Sequence, residues 1–217
     1  MKRSPRATGR GSGYIGAMNR RSLLLAVPAL ALAAALPAAA QSVNVTAINA
    51  YLTALRSAQG TFRQTNPNGS VQAGRFYLQK PGKIRFEYDT PKGAMVIADG
   101  TWVGVFDPKS NRNPTRYPLS KTPLSLLLRD NLSLAEPGLV LGATRDADGT
   151  EITVVDPRAP QEGRMVMTFG EDPIVLRSWT ITTKTGARTR VDLRSLDPAP
   201  GLDRGLFNIE LATANYR

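Results

Sequence analysis

The side chains that usually do chemistry are scarce in this chain of 217 residues, which contains no His and no Cys. That removes the commonest general base, the commonest metal ligand, every Ser–His arrangement and all thiol chemistry. Carboxylates remain. Glu87 and Asp89 alternate along a strand-like run beside Lys83 and Arg85, which fits a solvated strand face better than an acid/base pair. Asp146-Ala147-Asp148-Gly149 begins like a calcium loop but lacks the later Glu, so it reads as a hairpin turn. Gly11-Ser12-Gly13-Tyr14-Ile15-Gly16 has the spacing of a dinucleotide fingerprint, yet no strand precedes it. Ser–Lys and carboxylate chemistry stay open in principle. No pattern places a site for either, and no enzyme, metal or cofactor is expected.

The informative stretch is apolar instead. From Lys83 to Tyr88 the chain alternates cleanly: Ile84, Phe86 and Tyr88 share one strand face, and Lys83, Arg85 and Glu87 the other. A sheet with one oily face must cover it. The nature of that cover is the functional question.

Residues 1–40 are set apart from the fold. Arg20 and Arg21 precede an apolar run from Leu23 to Leu36, and Ala38-Ala39-Ala40 precede Gln41. This is the pattern of a cleavable export signal, with a core too short to span a bilayer. Met18 is an alternative start, and Arg20-Arg21 also fits a twin-arginine signal, though paired basic residues are ordinary there. With no Cys at the cleavage site, no lipid anchor is expected. Six of the 28 basic residues lie before Gln41, so the remaining 22 face 17 acidic ones, a balance of +5. No block of like charge stands out along the sequence, which argues against nucleic acid as a partner. Residues 41–217 suffice for one domain held by its core alone.

Ala47 to Ser57 reads as a helix, with Ile48, Tyr51, Leu52 and Leu55 at helical spacing and Gly60 as its stop. Strands and tight turns follow. Asn68-Gly69, Asp99-Gly100, Asp148-Gly149 and Lys184-Thr185-Gly186 each separate two strand-like runs. Such spacing predicts an antiparallel all-β meander, curled or closed. One helical interruption stands out. Thr122 as cap and Pro123 lead into Leu124-Ser125-Leu126-Leu127-Leu128, a short helix apolar nearly all round, with Leu126 off the face of Leu124, Leu127 and Leu128. It suits a lid over an oily concavity as well as it suits ordinary core packing. A last short strand is expected around Leu206 to Leu211.

In order and spacing these residues resemble the outer-membrane lipoprotein carrier (LolA) family. The resemblance rests on Phe62-Arg63-Gln64, Gly74, Lys80-Pro81-Gly82, Arg85-Phe86-Glu87-Tyr88, Pro91, Asp99-Gly100, Thr122 to Leu127 and Leu206-Phe207. It covers most of residues 45 to 210. Three positions depart from the family pattern: Lys80 stands where Arg is usual, Ile84 where Phe is common, and Gly104 where an aromatic is common. Trp102 lies one pleat repeat from Gly104 and can supply the lost bulk.

The resemblance implies a mainly β fold: a half-open antiparallel barrel, a curved sheet of about ten or eleven strands, with a helical lid. It implies a periplasmic, monomeric carrier of outer-membrane-directed lipoproteins. The carrier would be loaded by an inner-membrane ABC transporter and unloaded by an outer-membrane, LolB-like receptor. Ile84, Phe86, Tyr88, Met95, Ile97, Trp102 and Phe106 are then expected to line the acyl cavity or its mouth. Leu124, Leu127 and Leu128 form the lid, and Lys80 is the switch cation. Met165 and Met167 suit a forgiving wall, because Met adapts its shape. A half-barrel that binds a free lipid, or senses envelope stress, is the alternative.

Overall fold

The computed structural model describes residues 43–110, 113–146 and 149–216. The expected export signal, the Gly11–Gly16 motif and Asp148 of the third turn lie outside the described residues. The chain opens with α1 (Val45–Ala54), capped by Asn44, whose Oδ1 accepts from the Ala47 amide at 3.0 Å. Five antiparallel pairings then build a meander of β1 (Ser57–Thr65), β2 (Val71–Gln79), β3 (Lys83–Tyr88), β4 (Met95–Asp99), β5 (Trp102–Phe106) and β6 (Thr115–Pro118). A long crossing carries the short α2 (Leu124–Leu127). The second meander runs through β7 (Val140–Asp146), β8 (Gly149–Val155), β9 (Gly163–Glu171), β10 (Ile174–Thr183) and β11 (Arg188–Leu193).

The two meanders join through β1 and β11, giving the order β6-β5-β4-β3-β2-β1-β11-β10-β9-β8-β7. A two-residue β12 (Asp197–Pro198) pairs the other end of β1. This is an open, curved antiparallel sheet whose terminal strands, β6 and β7, are not paired with each other. The barrel is therefore half open, as expected. Register confirms the alternation read at β3: Phe76 faces Phe86 and Leu78 faces Ile84 across the β2–β3 pair. A Cβ at Gly74 would stand 1.9 Å from the Glu87 carbonyl oxygen, so the two backbones pass there only with glycine.

Four details differ from the sequence reading. The first helix stops at Ala54, and Gly60 lies inside β1. Thr122 does not cap α2; its hydroxyl donates to the Leu119 carbonyl of the preceding 3₁₀ turn at 2.9 Å. Leu126 is as fully buried as Leu127, so the leucines of α2 are covered on every side and Ser125 alone is half-exposed in that helix. The expected strand at Leu206–Leu211 is a 3₁₀ turn (Arg204–Phe207) followed by α3 (Ile209–Asn215). The reason is local capping: Asp203 Oδ1 accepts from Gly205, and Asn208 Oδ1 accepts from the Leu211 amide at 2.9 Å. Ile209 and Ala212, three apart, then share a buried face.

Candidate functional site: the inner face of the sheet and its leucine cover

The inner face is one continuous apolar surface. Phe62 of β1, Phe76 of β2, Phe86 of β3, Met167 of β9 and Trp179 of β10 belong to it, and α1 adds Ile48 and Leu52. Rings interlock at its centre: Phe62 meets Phe86 edge-on at 5.1 Å and Tyr88 at 5.4 Å, and Phe86 meets Trp179 at 6.3 Å. Met165 and Met167 are fully buried in the same surface. Tyr88 sits at its polar end, where its hydroxyl donates to Gln64 Oε1 at 2.9 Å. Burial pushes the Tyr88 phenol up to about 12, against the opposing effect of that hydrogen bond.

What covers this surface is the crossing from β6 to β7. Those are the two open edges, so the crossing spans the gap in the barrel. Its leucines are all buried: Leu119, Leu124, Leu126, Leu127, Leu128, Leu132, Leu134 and Leu139. Connections longer than about a dozen residues are uncommon unless they perform a task. Few hydrogen bonds hold this one. The Gly82 amide donates to the Leu128 carbonyl at 2.8 Å. Arg56 donates to the Asp130 carbonyl at 2.9 Å and also pairs with the Asp130 carboxylate. The Leu134 amide donates to Asn49 Oδ1 of α1 at 2.9 Å. On the far side, Arg129 bridges Glu136 at 2.8 Å and Asp156 at 2.9 Å. The cover is thus tied by polar contacts between Leu128 and Glu136, and seated by leucines on either side of them.

Lys80 lies between β2 and β3, 6 % exposed, and its Nζ donates to the Leu52 carbonyl at 2.9 Å. That carbonyl belongs to the last turn of α1, where a cation complements the helix dipole. Burial lowers the Lys80 ammonium to about 8. Neighbouring Arg56 adds to the drop and Asp130 opposes it.

The expected wall residues do not form one group. Ile84 and Phe86 are buried in the inner face, with Tyr88 packed against it. Leu124, Leu127 and Leu128 belong to the same cluster. Met95, Ile97 and Phe106 lie on the opposite face, in a separate cluster with Ile209 and Ala212 of α3. The β3–β4 register fixes this: Phe86 pairs with Val96 and Ile84 with Ala98, which leaves Met95 and Ile97 pointing outward. Trp102 shares the outward face with Phe106, is 43 % exposed, and borders a hollow with Phe207 and Ile209. The space above Gly104 is taken by α3, since a Cβ there would stand 3.3 Å from Ile209. Trp102 therefore supplies no inner-face bulk. The signal that could have sorted these residues was the pair of capping side chains before α3.

A family model described as the outer membrane lipoprotein carrier protein LolA matches residues 53–210. The chain belongs to the LolA family. Its similarity extends to curated carriers over nearly their whole length. An outer-membrane lipoprotein carrier protein of Leptothrix cholodnii is 29% identical over 191 residues, covering 82% of this chain and 87% of that one. One of Methylobacillus flagellatus is 27% identical over 192 residues, covering 84% and 92%. Among solved structures, the LolA superfamily protein NE2245 from Nitrosomonas europaea is 14% identical, covers 77% of this chain and 98% of its own, and has a TM-score of 0.42. LolA membership supports a lipoprotein-carrier role in general terms.

Gly82 sits in the turn between β2 and β3, where its amide meets the cover at the Leu128 carbonyl. Its φ is +77°, and a Cβ there would stand 2.6 Å from Gly100 Cα. Gly82→Ala is expected to lose about 1–2 kcal/mol from the left-handed backbone alone, and more from the displaced turn. A urea unfolding curve should show a lower midpoint with an unchanged slope.

Proposed function

We propose that this protein is an exported, non-enzymatic chaperone that shields the acyl chains of lipoproteins in transit through the periplasm. It receives them from an inner-membrane ABC transporter and delivers them to a LolB-like outer-membrane receptor. The observation that carries this reading is the leucine segment laid across the seam between β6 and β7, over an inner face that is apolar from β5 to β8. Burying one CH₂ is worth about 0.8 kcal/mol, so a chain of some 15 methylenes gains on the order of 12 kcal/mol by leaving water. A carrier must offset much of that to release its cargo. Displacing buried leucines is such an offset: cargo and cover compete for one surface.

On this reading Ile84, Phe86 and Tyr88 belong to the acyl-binding wall, joined by Phe62, Met167 and Trp179. Leu124, Leu127 and Leu128 are the lid together with Leu126, and Lys80 is the cation that ties α1 to the closed state. Met95, Ile97 and Phe106 are instead the seat of α3.

The test is release from spheroplasts. Processed protein added to spheroplasts should bring lipoproteins into solution as one-to-one complexes, with triacylated polypeptide identified by mass spectrometry. Recovery of free phospholipid or hopanoid, with lipoproteins left in the membrane, would overturn the reading in favour of a lipid-binding half-barrel.

A further inference from the structure

The small positive balance of residues 41–217 is not spread evenly. Along β1, β2 and β11 the inward positions Phe62, Phe76 and Val191 are buried, and the positions between them point outward and are exposed. Those outward positions carry Arg63, Arg75, Arg188, Arg190 and, just past β11, Arg194. Sequence reading found no charge block, because the cluster is assembled by sheet pairing. Arg63 faces Asp192, Arg75 faces Thr61, and the Arg194 amide donates to the Thr61 carbonyl. With strands about 4.8 Å apart and about 3.3 Å per residue, the arginines cover roughly 10 Å by 20 Å. Two carboxylates border the arginines: Asp192, engaged by Arg190 at 2.8 Å, and Glu87 opposite Arg75, engaged by Arg85 at 2.7 Å. Arg63, Arg75, Arg188 and Arg194 are exposed and form no ion pair among the described residues.

We infer that the outward face of β1, β2 and β11 is a docking surface for the anionic headgroups of a phospholipid bilayer. Charge complementarity selects an anionic occupant, and the surroundings select a bilayer over an acidic protein. At the centre of this face the neighbours of the arginines are Thr61, Thr65 and Ala73; Val71 and Tyr77 lie towards the two ends of β2, and Glu87 of β3, paired with Arg85 at 2.7 Å, stands opposite Arg75. A protein partner needs buried aromatic or apolar anchors at the centre of its interface, whereas a headgroup layer needs only cations within a Debye length. The patch lies on the side of the sheet opposite the leucine cover. Contact through it holds the protein against a membrane with its apolar side turned away, so that adhesion does not compete with the site proposed for acyl chains.

The probe is a vesicle of roughly one part phosphatidylglycerol to two parts phosphatidylcholine, incubated with processed protein at neutral pH. Binding is read by co-sedimentation. The triple variant Arg63→Gln, Arg75→Gln, Arg194→Gln removes three exposed charges, with retention of fold checked by its urea midpoint. Each cation near an anionic surface is worth about a fivefold change in partition, so the triple variant should bind roughly a hundredfold more weakly. Added salt should weaken the unmodified protein in the same direction. Equal binding to pure phosphatidylcholine vesicles, or undiminished binding by the variant, would overturn the proposal. So would absence of vesicle binding with impaired lipoprotein release by the variant, which would assign the patch to an acidic protein. The carrier reading is tested separately, because release by the unmodified protein does not depend on these vesicles.

Discussion

Leu127→Asp should abolish lipoprotein release while leaving the sheet folded. Leu127 is fully buried in the inner-face cluster, in a helix of four residues. A carboxylate cannot stay there: leaving a charge unpaired in an apolar surrounding costs several kcal/mol, and nothing near Leu127 in that cluster offers compensation. The molecule has two ways to avoid that cost. It can unfold, or it can lift the cover. Lifting is the smaller step, because the cover is tied by a handful of polar contacts between Leu128 and Glu136, whereas the sheet is a continuous ladder of eleven strands. The variant should therefore keep its strand circular dichroism, bind a hydrophobic dye more strongly, and be cut by protease between residues 119 and 139. Met167→Asp, on β9, is the contrasting substitution: it should unfold the protein, since no movable segment can carry that residue into water. Normal release by Leu127→Asp, with no new protease site, would mean that the leucine segment is fixed core and not a lid.

The contrast between those two residues also explains what was legible in the sequence. The hairpins were readable because each turn announced itself: Gly69, Gly100 and Gly186 all adopt positive φ, as dipeptides of their kind require. The inner face of β3 was readable because its outer face is charged, so alternation had two distinct phases. On β4 and β5 both faces are covered, one by the leucine segment and inner core, the other by α3. A strand buried on both sides loses its alternation, and Met95, Ile97 and Phe106 then look like any other wall residue. The error at residues 206–211 and the error in the wall have the same root, since a strand there could not have seated itself over Gly104 and Ile97 as α3 does. The short β6 was missed because its four residues are all exposed and show no hydrophobic period. The arginine patch was invisible for a related reason: it lies across strands, and only register brings Arg75 and Arg194 to the same row.

Lys80 supplies the second large effect, a pH dependence that an arginine at this position could not show. In the closed arrangement burial, with Arg56 alongside, lowers its ammonium to about 8 from the usual 10.5, Asp130 opposing. If the lid reading holds, opening returns Lys80 to water and to its ordinary value. Below about pH 8 the group is charged in both states, and the closed state bears the full cost of the buried cation. Between about 8 and 10.5 the closed state has lost the proton that the open state keeps, so closure gains stability as pH rises through that window. The whole span corresponds to on the order of 3 kcal/mol, and the step from about pH 7 to about pH 9 to roughly a tenfold shift toward closure. Dye binding to the empty protein should fall over that step, and release from spheroplasts should slow with it. Lys80→Arg should flatten the profile, because a guanidinium keeps its proton throughout while still reaching the Leu52 carbonyl. Lys80→Met should flatten it too, but with α1 loosened by loss of that hydrogen bond. A sloping profile in all three proteins would place the titrating group elsewhere. A flat profile in the unmodified protein would show that Lys80 stays buried when the cover lifts, which would make it a fixed strut beneath α1 and leave the opening to the leucines alone.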